Sequence, residues 1–376
     1  MTRTYLDHAS TSPLRVAGRA AMLATLGRDD LGDPSRLHLE GMTARGLLED
    51  ARDQIAAALE VRPRSVVFTS GTTESVATVA TGARERGAHT VVGAVEHSAI
   101  RGWAEHGPHT IVGVDALGRL DPDEMAAGVG AETGLVHVQW ANHEVGTTQP
   151  VTEVMAAVRS AEGAGSAALI HCDASQAWGN DVVHPEALGV DLMTLSAHRV
   201  GGPAGMGVLV IRRGLRLDPL LLGGDQERGR RAGMENVVAA VGLAAALDEA
   251  LVDVGVESDR RRTLTQRVIN WAQSTSGMSV LGDPVDRLPH IVCLGLAGVE
   301  PQPVLLGLDA AGISVHSGSS CSSEELEPSP VLEAMGVDAD RSLRISVGWS
   351  TSDADIDRLL GVLPRVLAEL ESLRAG

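Results

Sequence analysis

The chain has 376 residues, 44% of them apolar, a formal net charge of -18, and 31 basic residues, every one of which is arginine. That length and apolar content suffice for a large domain together with a smaller one, and the acidity leaves no basic stripe to neutralise nucleic acid or an anionic membrane surface. About twenty lysines would be ordinary in a chain this long, so their complete absence is a bias beyond sampling. Arginine-for-lysine drift accounts for it more readily on a surface than at a reacting position.

The opening MTRTYLDHAS has no cationic segment followed by an apolar one, and no apolar run nears the roughly 20 residues of a membrane span, so a cytoplasmic protein is expected. A helix is expected from a Ser35 cap onward, with Leu48, Ala51, Ile55 and Leu59 at helical spacing. Short β-branched runs then alternate with helical patterns: SVVFT at 65, HTVVGAV at 89, TGLVHVQW at 133, AALIHC at 167, DLMTLS at 191 and MGVLVI at 206. Such alternation builds a parallel or mixed sheet covered by helices, an α/β fold. From about 235 the pattern changes to two long helices, MENVVAAVGLAAALDEALVDV and DRRRTLTQRVINWAQ, which read as a connector. A smaller α+β unit follows, with strands HIVCLGL, ISVH and SLRISV and a closing helix from Ser352. No repeat or low-complexity linker separates the lobes, so a shared site is expected.

Three scattered cysteines do not make a disulfide framework or a zinc site, and no histidine pattern has metal-ligand spacing, so no metal is expected. Cys172 and Cys293 read as buried thiols, whereas Cys321 sits in the small polar stretch Gly318–Ser323, suited to nucleophilic reach. Ser70-Gly71-Thr72-Thr73-Glu74 joins a strand to a helix; it is either a phosphate cradle or an ordinary helix start. Asp173, just past a strand, is either a ligand contact or a cap.

Ten stretches in order resemble the motifs of cysteine desulfurases: YLDHASTSP, GDPSRLH, FTSGTTES, EHSA, WANHEVGTTQP, HCDASQAWG, VDLMTLSAHRVGGPAGMGVLVIRRG, GGDQERGRRAGMEN, HSGSSCSSEELEPSPVLEAMG and SLRISVGWST. The resemblance covers nearly the whole chain. It implies a fold-type I pyridoxal-phosphate transferase of the class V aminotransferase group. The large domain would span 14–245 and the small one 1–13 with 246–376, carrying an active-site loop at 316–327. It further implies a homodimer that takes sulfur from L-cysteine and releases L-alanine, serving iron-sulfur cluster assembly or another sulfur acceptor.

By the same resemblance Thr72, Thr73, Ser196 and His198 would cradle the cofactor phosphate, and His97 would stack on the ring. Asp173 would hold the ring nitrogen protonated and Gln176 would bond the ring hydroxyl, making the ring an electron sink. Asn142 and Arg344 would bind the substrate carboxylate, and Cys321 would attack the substrate sulfur and become a persulfide, its thiolate favoured by Arg344 and Arg199.

Arg199 stands where the family keeps the lysine that bonds the cofactor and then moves the Cα proton. A guanidinium stays protonated and its lone pairs are delocalised, so it does neither, and no other lysine can substitute. Met234 replaces a threonine that would reach the partner subunit's phosphate site; His143 and Asp33 replace asparagines. Three explanations stand: a natural paralogue that has lost the full reaction, a lysine changed to trap substrate, or an enzyme that takes the cofactor without covalent attachment. A non-catalytic protein that docks a sulfur-transfer partner is the alternative from another class.

Overall fold

The structure, a computed structural model, describes residues 3–161, 168–317 and 328–375. Among these the strands are β1 (Thr4–Tyr5), β2 (Val66–Thr69), β3 (His89–Gly93), β4 (His109–Val112), β5 (Thr133–Gln139), β6 (Leu169–Asp173), β7 (Leu192–Ser196), β8 (Gly207–Ile211), β9 (Met278–Leu281), β10 (Ile291–Leu296), β11 (Ile313–Ser314) and β12 (Ser342–Ser346). The main sheet has seven strands in the order β2-β8-β7-β6-β5-β3-β4. β3, β4, β5, β6 and β7 run parallel, and β8 lies antiparallel to both β7 and β2. Helices cover this sheet, so β2, β5, β7 and β8 are buried at every residue, which is why their sequences are near-continuous rather than alternating apolar runs.

Four helices precede the sheet centre: α1 (Val16–Leu26), α2 (Leu39–Ala58), α3 (Thr72–Gly82) and α4 (Ser98–Ala104). α2 buries Leu48, Ala51 and Ile55 as its spacing predicts, but Ser35 does not cap it. His38 does, its Nδ1 accepting from the Gly41 N–H, while the Ser35 N–H is held by the Asp33 carboxylate in the preceding turn. The Ala-rich helix Val237–Leu251 packs on α1 and α2, and Val254–Gln273 leads away from the large core.

A second core gathers Leu6, Val268, Val292, Leu294, Leu343, Ile345, Leu359 and Leu363. It sits on the antiparallel sheet β12-β10-β9, and β1 pairs with β11 beside it. Each such aliphatic side chain contributes about 1.5–3 kcal/mol when fully buried. The N-terminal segment joins the lobes. Leu6 N–H donates to Ser314, Ala9 N–H to the Ser346 hydroxyl, Ser12 N–H to the His198 carbonyl and Arg15 N–H to the Gly201 carbonyl.

This topology points the carboxyl ends of β2, β3, β5, β6 and β7 to one edge of the sheet, where open α/β sheets hold ligands. β8 begins at that edge with Gly207. A Cβ there would stand 2.7 Å from the main chain of Gly71, so only glycine lets β8 pass the turn that starts α3.

Candidate active site

Three strand ends deliver the central polar groups. β2 ends into α3, whose first-turn N–H groups have no intrahelical partners; Thr72 is half-buried there and Thr73 exposed. The Thr72 hydroxyl lies 2.9 Å from that of Ser175. β6 ends at Asp173, whose Oδ1 accepts from the Ser175 N–H at 3.0 Å and from the Thr194 hydroxyl at 3.2 Å. Its Oδ2 has no protein partner among the described residues. β7 ends at the buried Ser196 and runs into the single turn Ala197–Arg199, which carries the half-buried His198 and Arg199.

His97 caps α4, its Nδ1 accepting from the Ala99 N–H at 3.1 Å. Burial lowers its pKa; Asp173 opposes the shift and Arg199 adds to it. His143 meets the His97 ring edge-on with centroids 5.2 Å apart. It is held well below the ordinary imidazole range by burial first and then by His97, Arg344 and Arg199. His198 is lowered to about 4 by burial, Arg199 and His97. Near neutral pH these imidazoles are uncharged, while Arg199 keeps its guanidinium charge beside them.

Arg344, on β12, is 1% exposed. One terminal nitrogen donates to the His143 carbonyl at 2.9 Å; the other donates to the Ser10 hydroxyl at 2.6 Å and to Asp7 at 3.1 Å. Asn142 is fully buried beside it, and its side chain bonds main chain: Nδ2 donates to Val95, and Oδ1 accepts from Glu144 and Val145. The two expected carboxylate binders therefore share one wall. Asp7 is already a partner of the guanidinium, so an incoming carboxylate competes with it. Gln176 is buried and donates its amide to the Ala9 carbonyl at 3.0 Å.

Cys321 lies outside the described residues. Cys172 and Cys293 are fully buried free thiols whose pKa burial raises, as their strand contexts suggest. The sequence reading did not assign Asp7 and Ser10 on Arg344, Thr194 and Ser175 on Asp173, or the buried Glu144 near Arg344. Asp7, Ser10 and Glu144 fall inside stretches already singled out as motifs, which was the available signal. Thr194 also falls inside such a stretch, but its contact with Asp173 depends on strand register, which the motif does not reveal.

Fold and site define a class. The family profile of class-V aminotransferases matches residues 4–359. The cysteine desulfurase IscS 1 of Archaeoglobus fulgidus is 36% identical over 381 residues, covering 98% of both chains. A cysteine desulfurase of Gluconacetobacter diazotrophicus is 38% identical over 387 residues, covering 99% of this chain and 95% of that one. Among solved structures, a NifS-like protein superposes with a TM-score of 0.91 at 29% identity, covering 98% of this chain and all of the other. A structure of SspA in complex with cysteine gives a TM-score of 0.80 at 25% identity, covering 93% of this chain and 100% of that chain. The chain belongs to the cysteine desulfurase family, with the fold-type I architecture of its relatives.

That family depends on pyridoxal phosphate. The non-covalent part of the site fits such a group. The α3 N-terminus suits a phosphate, and Asp173 keeps Oδ2 open while Oδ1 is held by two donors. Covalent attachment through a lysine does not fit, because the chain has none.

Proposed function

We propose that this chain is a cysteine desulfurase of reduced competence that holds pyridoxal phosphate without a covalent bond. It takes sulfur from L-cysteine onto Cys321 and releases L-alanine. The observation that carries this reading is the contrast at one site: the groups that hold Asp173 are present, and the chain has no lysine to supply the amine. When bound, pyridoxal phosphate would supply an electron sink for the pair left on the substrate Cα when its proton leaves, and the bond that then breaks as Cys321 attacks sulfur is the one between Cβ and sulfur.

The chain's own residues supply the rest. The first turn of α3, with Thr72, Thr73, Ser196 and His198, holds the phosphate; His97 covers the ring, Gln176 meets its hydroxyl, and Asp173 keeps its nitrogen protonated. Arg344, with Asn142 beside it, receives the substrate carboxylate in exchange for Asp7. Cys321 attacks the substrate sulfur as a thiolate and keeps it as a persulfide until a protein acceptor, such as an iron-sulfur scaffold, removes it. Arg199 contributes charge and no proton transfer, so the Cα proton moves slowly. The exposed apolar side chains Leu37, Leu39, Met42, Leu222 and Met234 support a homodimer as the working form. No helix among the described residues is long and apolar enough to cross a membrane.

Sulfide and alanine released from L-cysteine with added pyridoxal phosphate test the reading. Arg199→Lys is expected to raise both by about a hundredfold or more, the range of positioned acid–base catalysis. Cys321→Ala is expected to abolish persulfide formation in either background. Turnover by the native chain equal to that of Arg199→Lys contradicts the role given to position 199, and silence from both contradicts the activity.

A further inference from the structure

β5 and β6 carry two histidines that none of the assigned roles uses. His137 and His171 are register partners, both completely buried, with Nδ1 facing Nδ1 at 2.8 Å. His171 Nε2 lies 3.1 Å from Thr194 Oγ1, and the Thr194 hydroxyl reaches Asp173 Oδ1 at 3.2 Å. Four side chains on three adjacent strands thus form one hydrogen-bonded line that ends on the acid of the site.

Counting protons gives the line a direction. The Thr194 hydroxyl donates its one proton to Asp173 Oδ1, so its oxygen receives a proton from His171 Nε2. Burial lowers the pKa of His137 to about 3 and holds His171 well below the ordinary range, so each ring carries a single proton near neutral pH. His171 protonated at Nε2 has a bare Nδ1, and His137 must donate to it from its own Nδ1. His137 Nε2 is then a lone pair, buried and without a protein partner. His137 also lines a cavity of about 30 Å³ with Arg84, Thr90 and Trp103, enough space for one water.

We propose that His137 and His171 are positioning residues for Asp173: they hold the Thr194 hydroxyl as a donor to Oδ1, leaving Oδ2 for the cofactor's ring nitrogen, while a water beside His137 closes the line. Its purpose rests on the cofactor reading proposed above; its existence rests on the hydrogen-bond directions alone. The line does not touch the reacting atoms. It fixes which oxygen of Asp173 is free and keeps that carboxylate supplied with two donors.

The test begins on the full chain without cofactor. Nitrogen–proton correlation NMR on isotope-labelled histidines at neutral pH is expected to show His137 protonated at Nδ1 and His171 at Nε2. The opposite tautomer at either ring, or a doubly protonated ring, overturns the proposal. Equilibrium binding of pyridoxal phosphate, followed by fluorescence, is expected to weaken about tenfold in both His171→Leu and Thr194→Val, as when one hydrogen bond to a charged group is lost. The double variant is expected to lose no more than either single one. His171→Gln, whose amide keeps an acceptor toward His137 and a donor toward Thr194, is expected to stay within about twofold of the native chain. Equal weakening by His171→Leu and His171→Gln reduces His171 to a packing role and overturns the proposal. If the native chain takes up no pyridoxal phosphate, the proposed function falls, and the tautomers alone decide the line.

Discussion

Arg199 and Glu144 show how single side chains set the chemistry of this site. In the function proposed above, the Arg199 guanidinium stands in for an amine: it adds to the lowering that burial imposes on His97, His143 and His198, and it cannot bond a carbonyl or carry a proton. Glu144 is a carboxyl raised by burial to about 7, with Ser329 donating to Oε2 at 2.8 Å and Oε1 without a partner. Its folded pKa exceeds its unfolded value near 4.5, so the folded chain retains the proton between those values while the unfolded chain loses it. The stabilising contribution is therefore complete below about 4.5 and is lost as the pH rises to about 7. Glu144→Gln is expected to remove that part of the pH dependence, on the order of 3 kcal/mol. Urea unfolding across this interval measures it, and identical slopes for native and variant chains contradict the assignment.

At the scale of elements, the turn Glu227–Gly229 is held in an uncommon shape by one buried pair. Glu227 and Arg228 have φ of 49° and 59°, a left-handed conformation that side chains other than glycine adopt at a cost. Glu227 is fixed there by two 2.7 Å hydrogen bonds from Arg52 on α2 and one of 3.0 Å from the Phe68 N–H on β2. Arg231, just after the turn, reaches Glu74 in the first turn of α3. Glu227→Gln removes the buried counter-charge of Arg52 and leaves it only the partly exposed Glu49 at 3.2 Å, and is expected to destabilise the fold by about 3–5 kcal/mol. Denaturant unfolding at neutral pH checks this, and a loss under about 1 kcal/mol would show the pair to be dispensable. Sequence patterns exposed most of the large sheet, because β2, β5, β7 and β8 are buried on both faces and read as apolar runs. They hid β4, a short edge strand whose Ile111 is exposed and whose other residues are mostly polar. They also misplaced the start of α2, because Asp33 takes the Ser35 N–H and leaves His38 to cap.

Across the whole molecule, what the sequence displayed and what it concealed have different physical origins. Thr72, His97, Asp173, Ser196, His198 and Arg199 each follow soon after a β-branched run, so their place at the carboxyl edge of a sheet was readable from order along the chain. The line from His137 to Asp173 was not, because it depends on the register of three strands far apart in sequence. Nor were the contacts of Asp7 and Ser10 with Arg344, which arise because the N-terminal segment threads between the two cores. In the function proposed above, these contacts make one site that draws on both lobes and lacks an amine. Borohydride reduction with pyridoxal phosphate, followed by peptide mapping and mass spectrometry, tests that account most directly. The native chain is expected to carry no pyridoxyl group at any side chain, and Arg199→Lys is expected to gain one at position 199. A pyridoxyl group on an internal residue of the native chain, or none at position 199 in the lysine variant, contradicts it.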